Sequence, residues 1–130
     1  FVMLFGPRTS GELETVVGIA RDGPFAPTIM FGIGGVFLDV LKAVTFRVPP
    51  FDRAEATRMV HEVHDFPLLK GARGRPKADI RSIVDVIMKV QRMAMDLHAE
   101  LAELDINPLM ALPAGAVALD ALAVKGAHDG

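Results

Sequence analysis

The clearest chemical signal in this sequence comes from three oxygen-bearing side chains near its carboxy end. Asp105 and Asn107 lie in Glu103-Leu104-Asp105-Ile106-Asn107-Pro108-Leu109, and Asp120 lies in Ala118-Leu119-Asp120-Ala121. Alternate residues of a strand share a face, so Glu103, Asp105 and Asn107 project together while Leu104 and Ile106 enter a core. The turn-rich Leu112-Pro113-Ala114-Gly115 follows, and the apolar strand 116–124 returns with Asp120 as its one acid. A hairpin closed by that turn sets Asn107 beside Asp120. Such a group suits a hard cation, because magnesium takes oxygen ligands and usually only one or two carboxylates, with phosphates and waters filling the other positions. The same residues also fit a plainer role, since strand-end acids stabilise turns.

Other candidates are weaker and each has a bland counterpart. Gly32-Ile33-Gly34-Gly35 follows an apolar run, and Gly34 and Gly35 can bring backbone close to a phosphate or simply form a turn. The tract is neither a Walker sequence nor a dinucleotide fingerprint. Arg73 and Arg75 sit in the glycine-rich stretch 68–76, suited to phosphate or to solvent. Asp39 and the pair Arg21-Asp22 can meet a ligand or serve as cap and turn residues. His61 and His64 are three apart, and the spacing supplies no further zinc ligand. With no Cys and no recognisable Ser or Thr nucleophile motif, no catalytic residue is assigned.

The elements that must position these groups follow from apolar periodicity. Strands are expected at 1–5, 12–21, 27–32 and 44–48, the first two pairing as a hairpin. Asp52 is placed to cap a helix from Arg53 to about His64, and a longer helix runs from Asp79 to about Leu101. The closing hairpin completes an α+β arrangement, an antiparallel sheet covered by helices. The methionines read as adaptable core filler.

Composition narrows the function classes. The 130 residues fit one domain, 1–130, and the sequence begins Phe1-Val2-Met3-Leu4-Phe5, which reads as a strand inside a longer protein. A net charge of −2, no dense basic patch and no Trp or Tyr argue against nucleic acid as the principal ligand. No apolar run is long enough to span a bilayer, and the absence of Cys suits a cytoplasmic location. A hydrophobic content of 51% and mean hydropathy of +0.35 suggest that some apolar surface awaits a partner.

Several stretches, in order, resemble the carboxy-terminal part of the ATP-grasp region of NDP-forming acyl-CoA synthetases, the superfamily of ADP-forming acetate-CoA ligase and succinyl-CoA synthetase. They are Gly11-Glu12-Leu13-Glu14 with Val17-Gly18 and Arg21-Asp22; Pro24-Phe25-Ala26-Pro27; Met30-Phe31-Gly32-Ile33-Gly34-Gly35; Phe46-Arg47 with Pro49-Pro50; and Leu69-Lys70-Gly71-Ala72-Arg73-Gly74. Glu103 to Leu109 and Ala118 to Ala121 complete the set.

The resemblance implies an ATP-grasp subdomain with Asn107 and Asp120 as magnesium ligands and Asp105 in the adjoining acidic position. It implies Mg2+ and ATP/ADP as cofactors. The implied reaction interconverts acyl-CoA, nucleoside diphosphate and phosphate with acid, CoA and nucleoside triphosphate, through an acyl phosphate and a phosphohistidine. Nucleotide, CoA and carboxylic acid would be met through the parent protein, together with the missing ATP-grasp half, a CoA-binding domain or subunit, and an oligomeric assembly. This chain alone is expected to be inactive, and none of its His residues matches the phosphohistidine motif. The sequence departs from the family at Ala26, Asp39 and Ala43. Those departures keep open two alternatives: a regulatory ligase-like region of a bacterial protein acetyltransferase, and a structural subunit-contact module.

Overall fold

The strands are built from alternating apolar residues whose buried members meet two amphipathic helices. A computed structural model describes residues 13–20, 27–34, 44–97 and 99–126. Its elements are β1 (Leu13–Ala20), β2 (Thr28–Ile33), β3 (Val44–Arg47), α1 (Arg53–His61), α2 (Ile80–Asp96), β4 (Leu101–Ala111), β5 (Ala116–Ala118) and β6 (Ala121–Lys125). All pairings are antiparallel, in the order β3-β2-β1-β4, with β5 and β6 sharing the far edge of β4. This is the expected α+β class.

One sheet face carries the core. Val17, Ile19, Ile29, Phe31, Leu104, Ile106 and Leu109 are buried there against Ala56, Met59 and Val60 of α1 and Ile83, Val84, Ile87 and Val90 of α2. The helical residues recur at three- and four-residue intervals, which gives each helix one apolar stripe. Arg47 of β3 fastens α1 to the sheet edge, its Nε donating to Glu55 at 2.7 Å and a terminal nitrogen donating to Glu62. The Glu62 hydrogen bond, foremost, and the one to Glu55 hold the Arg47 guanidinium further above its already high value. The buried amide of Gln91 clamps the backbone of Phe51, accepting from its N–H at 2.7 Å and donating to its carbonyl at 3.1 Å.

Several expected boundaries shift. The α1 helix ends at His61 rather than near His64, and Asp65 then turns left-handed before a 3-10 segment, Phe66–Lys70. The α2 helix ends at Asp96 rather than Leu101, because pairing of Leu101 with Lys125 draws the following residues into β4. Tertiary pairing here overrides a locally helix-friendly sequence. The return strand is divided into β5 and β6 around Leu119 and Asp120. β1 pairs with β2 along one edge and with β4 along the other. Residues 1–5 lie outside the described residues, as do Arg21, Asp22, Gly35 and Asp39.

Asp79 caps α2, accepting from Ser82 N at 3.2 Å and Ser82 Oγ at 2.8 Å, and it also accepts from Gly115 N at 2.9 Å. The Gly115 amide, foremost, and the Ser82 donors hold the Asp79 carboxyl below the usual carboxylate range. A lowered folded pKa stabilises the fold above the unfolded value, and that contribution is lost as pH falls through the folded value. Denaturant titrations should therefore show Asp79→Asn weaker than the parent sequence at about pH 7, with the gap closing toward about pH 3 as the Asp79 carboxyl protonates. In the core, Ile106→Ala should cost about 2–5 kcal/mol, whereas Leu122→Ala on the opposite face should stay within about 0.5 kcal/mol.

Candidate metal and nucleotide site

The site begins with a change of parity in β4. Thr15 faces Leu109 while Val17 faces Ile106, so β4 uses three residues where β1 uses two. That extra residue is a bulge at Asn107-Pro108, where proline offers no N–H to the neighbouring strand. Leu104 and Ile106 point into the core before it, and Leu109 and Ala111 do so after it. Without the bulge the second pair would turn outward.

The partner edge keeps step across the break. Ile106 pairs with Ala121 on β6 and Leu109 with Ala118 on β5, which sets Asn107 opposite Asp120. Two backbone bonds fix this pairing: Asn107 N–H donates to the Asp120 carbonyl at 3.1 Å, and Leu119 N–H donates to the Pro108 carbonyl at 3.0 Å. Glu103 and Asp105 are exposed and Asn107 is half-buried, between the inward Leu104 and Ile106. The expected polar row is therefore present, and it occupies the sheet face away from the helices.

Electrostatics mark this face. Desolvation by the surrounding sheet, foremost, then repulsion from Asp120 and from Glu103, pushes the Asp105 carboxyl above its ordinary value. A nearby cation would relieve that repulsion. Among the described residues no three His, Cys, Asp or Glu side chains are grouped to hold a metal; the oxygen donors this hairpin offers are the Asp105 and Asp120 carboxylates and the Asn107 side-chain carbonyl, an incomplete set. This donor chemistry fits magnesium, which usually retains positions for phosphate and water.

One residue of the site has no functional group to announce it. Gly18 lies between Met30 and Asp105 in a cross-strand row that runs Phe46, Met30, Gly18, Asp105, Leu122. A Cβ on Gly18 would stand 2.9 Å from the Leu104 carbonyl oxygen and 3.2 Å from the Met30 methyl. Glycine in a strand interior otherwise weakens pairing, so its interruption of Val17-Gly18-Ile19 is the signal to read. Exposed Phe46, Val48, Leu122 and Val124 leave this side of the sheet strongly apolar around the acids.

The remaining candidates lie apart from the hairpin in the chain. Gly34 follows β2 with a positive φ of 111°, and its N–H already donates to the Glu14 carbonyl at 2.8 Å. Any phosphate approach there would use the space a side chain would fill, not that N–H. Arg73 is exposed in the loop before α2 and adopts a left-handed conformation, φ 60° and ψ 33°.

An open, six-stranded antiparallel sheet backed by helices, with an oxygen-rich hairpin on its free face, is an α+β architecture. The chain belongs to the ATP-grasp domain family, which matches residues 3–124. It is 44% identical over 108 residues to the acetate–CoA ligase (ADP-forming) I subunit beta of Pyrococcus furiosus, covering 83% of this chain and 46% of that protein. It is 43% identical over 124 residues to acetate–CoA ligase (ADP-forming) I of Archaeoglobus fulgidus, covering 95% of this chain and 18% of that protein. Among solved structures it matches a dinucleotide-forming acetyl-coenzyme A synthetase 1 of Ca. Korarchaeum cryptofilum in complex with coenzyme A and Mg-AMPPCP. That match has a TM-score of 0.84 and 38% identity, covering 94% of this chain and 55% of the other. The chain thus spans about half, or less, of the proteins it matches. Among the described residues no helix is long and apolar enough to cross a membrane.

Because the Gly18 position leaves no room above the β4 backbone, Gly18→Ala should lower stability by about 1–3 kcal/mol by displacing Leu104 and the adjoining Asp105. Thermal or denaturant unfolding of the variant beside the parent sequence checks this.

Proposed function

We propose that this chain is the magnesium-nucleotide part of an ADP-forming acyl-CoA synthetase of the acetate-CoA ligase type, acting as one piece of a longer protein. The observation that carries the proposal is the pairing of Asn107 with Asp120 at the β4 bulge, with Asp105 on the same open face. The Korarchaeum relative supports it, since that structure holds Mg-AMPPCP and has a phosphohistidine segment pointing towards its nucleotide binding site.

In this reading Asn107 and Asp120 hold Mg2+, and Asp105 supplies the adjoining negative charge. The ion, when bound, neutralises charge on the phosphate oxygens of ATP or ADP. The bulge fixes the backbone of Asn107 opposite that of Asp120, so their side-chain oxygens would need little reorganisation to hold the ion. Arg73 contacts phosphate with its planar guanidinium, and Gly34 and Gly35 allow close approach of backbone. The acid, CoA and phosphohistidine chemistry belongs to the parent protein, whose other ATP-grasp half and CoA-binding domain or subunit would close over this face. The exposed Phe46, Leu122 and Val124 suit such a covering. We further propose that the chain forms one domain-sized piece of that parent in the cytoplasm and is inactive by itself.

In the full-length parent, Asn107→Ala and Asp120→Ala should each lower nucleotide-dependent acyl-CoA formation by at least about 100-fold while circular dichroism stays unchanged. Normal turnover by either folded variant would remove the metal assignment. Arg73→Ala should weaken Mg-ATP binding about tenfold by calorimetry; unchanged affinity would return Arg73 to a solvent role.

A further inference from the structure

We infer that Asp79 is a positioning residue that joins the Arg73 loop to the Asn107–Asp120 hairpin, so that the phosphate-facing and metal-facing parts of the site keep one geometry. This inference rests on the nucleotide-site reading above and adds to it a residue that touches neither ligand.

The Arg73 loop needs an external constraint. Gly71, Arg73 and Gly74 all have positive φ, at 97°, 60° and 73°. For a residue with a side chain this region costs about 1–2 kcal/mol, and it persists where surrounding structure over-determines it. The first constraint is at the loop's base, where Ala78 N–H donates to the Leu69 carbonyl at 2.9 Å and Leu69 is buried in the core. Asp79 is the next residue.

Asp79 then reaches across the fold with both backbone and side chain. Its N–H donates to the Leu112 carbonyl at 2.8 Å, and its carboxylate accepts from the Gly115 N–H at 2.9 Å. Leu112 N–H donates to the Gly115 carbonyl at 3.1 Å, closing the turn between β4 and β5. One end of that turn leads back along β4 to Asn107, and the other leads through β5 to Asp120. A helix cap alone requires only the Ser82 bonds, which satisfy the first turn of α2. The bond to Gly115 adds nothing to capping. It locks a turn 36 residues away in sequence against the end of the Arg73 loop.

The test is calorimetric titration of Mg-ATP into the full-length parent and its variants, at a temperature where circular dichroism reports each one folded. Asp79→Ala should weaken binding about tenfold. Asp79→Ser is the control for capping, since serine caps a helix comparably but lacks the second oxygen that reaches Gly115. It should stay folded, with more thermal stability than Asp79→Ala, and still lose affinity. The double variant Asp79→Ala/Arg73→Ala should bind no more weakly than Arg73→Ala alone, because the loop then has nothing to position. Unchanged affinity in both Asp79 variants, or losses that simply add, would reduce Asp79 to a cap and overturn the inference, provided that Asn107→Ala still abolishes binding. Normal binding by both Asn107→Ala and Arg73→Ala would overturn the nucleotide-site reading itself, and the inference with it.

Discussion

The extra residue in β4 at Asn107-Pro108 is the constraint on which the rest of the site depends. A strand has a two-residue period, so one inserted residue exchanges its faces. The bulge lets Leu104 and Ile106 on one side, and Leu109 and Ala111 on the other, all serve the same core. The residue left over at the break is the one set opposite Asp120. Core packing and placement of the polar group are therefore one arrangement, and a register slip that moved Asn107 would also expose the core side chains.

The two faces of the sheet divide the labour. The helix-covered face supplies rigidity through buried Phe31, Ile87 and Ile106, while the other face gathers Glu103, Asp105 and Asp120 among exposed apolar side chains. Collecting carboxylates on a partly desolvated surface is unfavourable without a cation, and the raised pKa of Asp105 records that cost. A stable fold tolerates it because the opposite face is closely packed.

Much of this was legible in the sequence because it is local. Alternation gave the inward Leu104 and Ile106 and the outward Asp105 and Asn107, and the Pro113–Gly115 turn gave the hairpin that sets Asn107 beside Asp120. Asp52 capping α1 was equally readable, since its partner Glu55 is only three residues on. The bulge was missed, although Pro108 inside a strand and the altered spacing between Ile106 and Leu109 both signal it. The end of α2 was misplaced because its termination depends on Leu101 pairing with Lys125, a contact that no local propensity contains. The bond from Asp79 to Gly115 and the crowding above Gly18 are also long-range; the first leaves no mark in the sequence, and the second only the glycine that interrupts Val17-Gly18-Ile19.

The most direct test of the central claim is a crystal structure of the full-length parent soaked with Mn2+ and a non-hydrolysable ATP analogue, with anomalous scattering used to locate the metal. The account predicts an anomalous peak at about 2.1 Å from both the Asn107 amide oxygen and the Asp120 carboxylate, bridged to nucleotide phosphate. A nucleotide-bound structure with its metal held elsewhere, and with Asn107 and Asp120 free of it, would contradict the account.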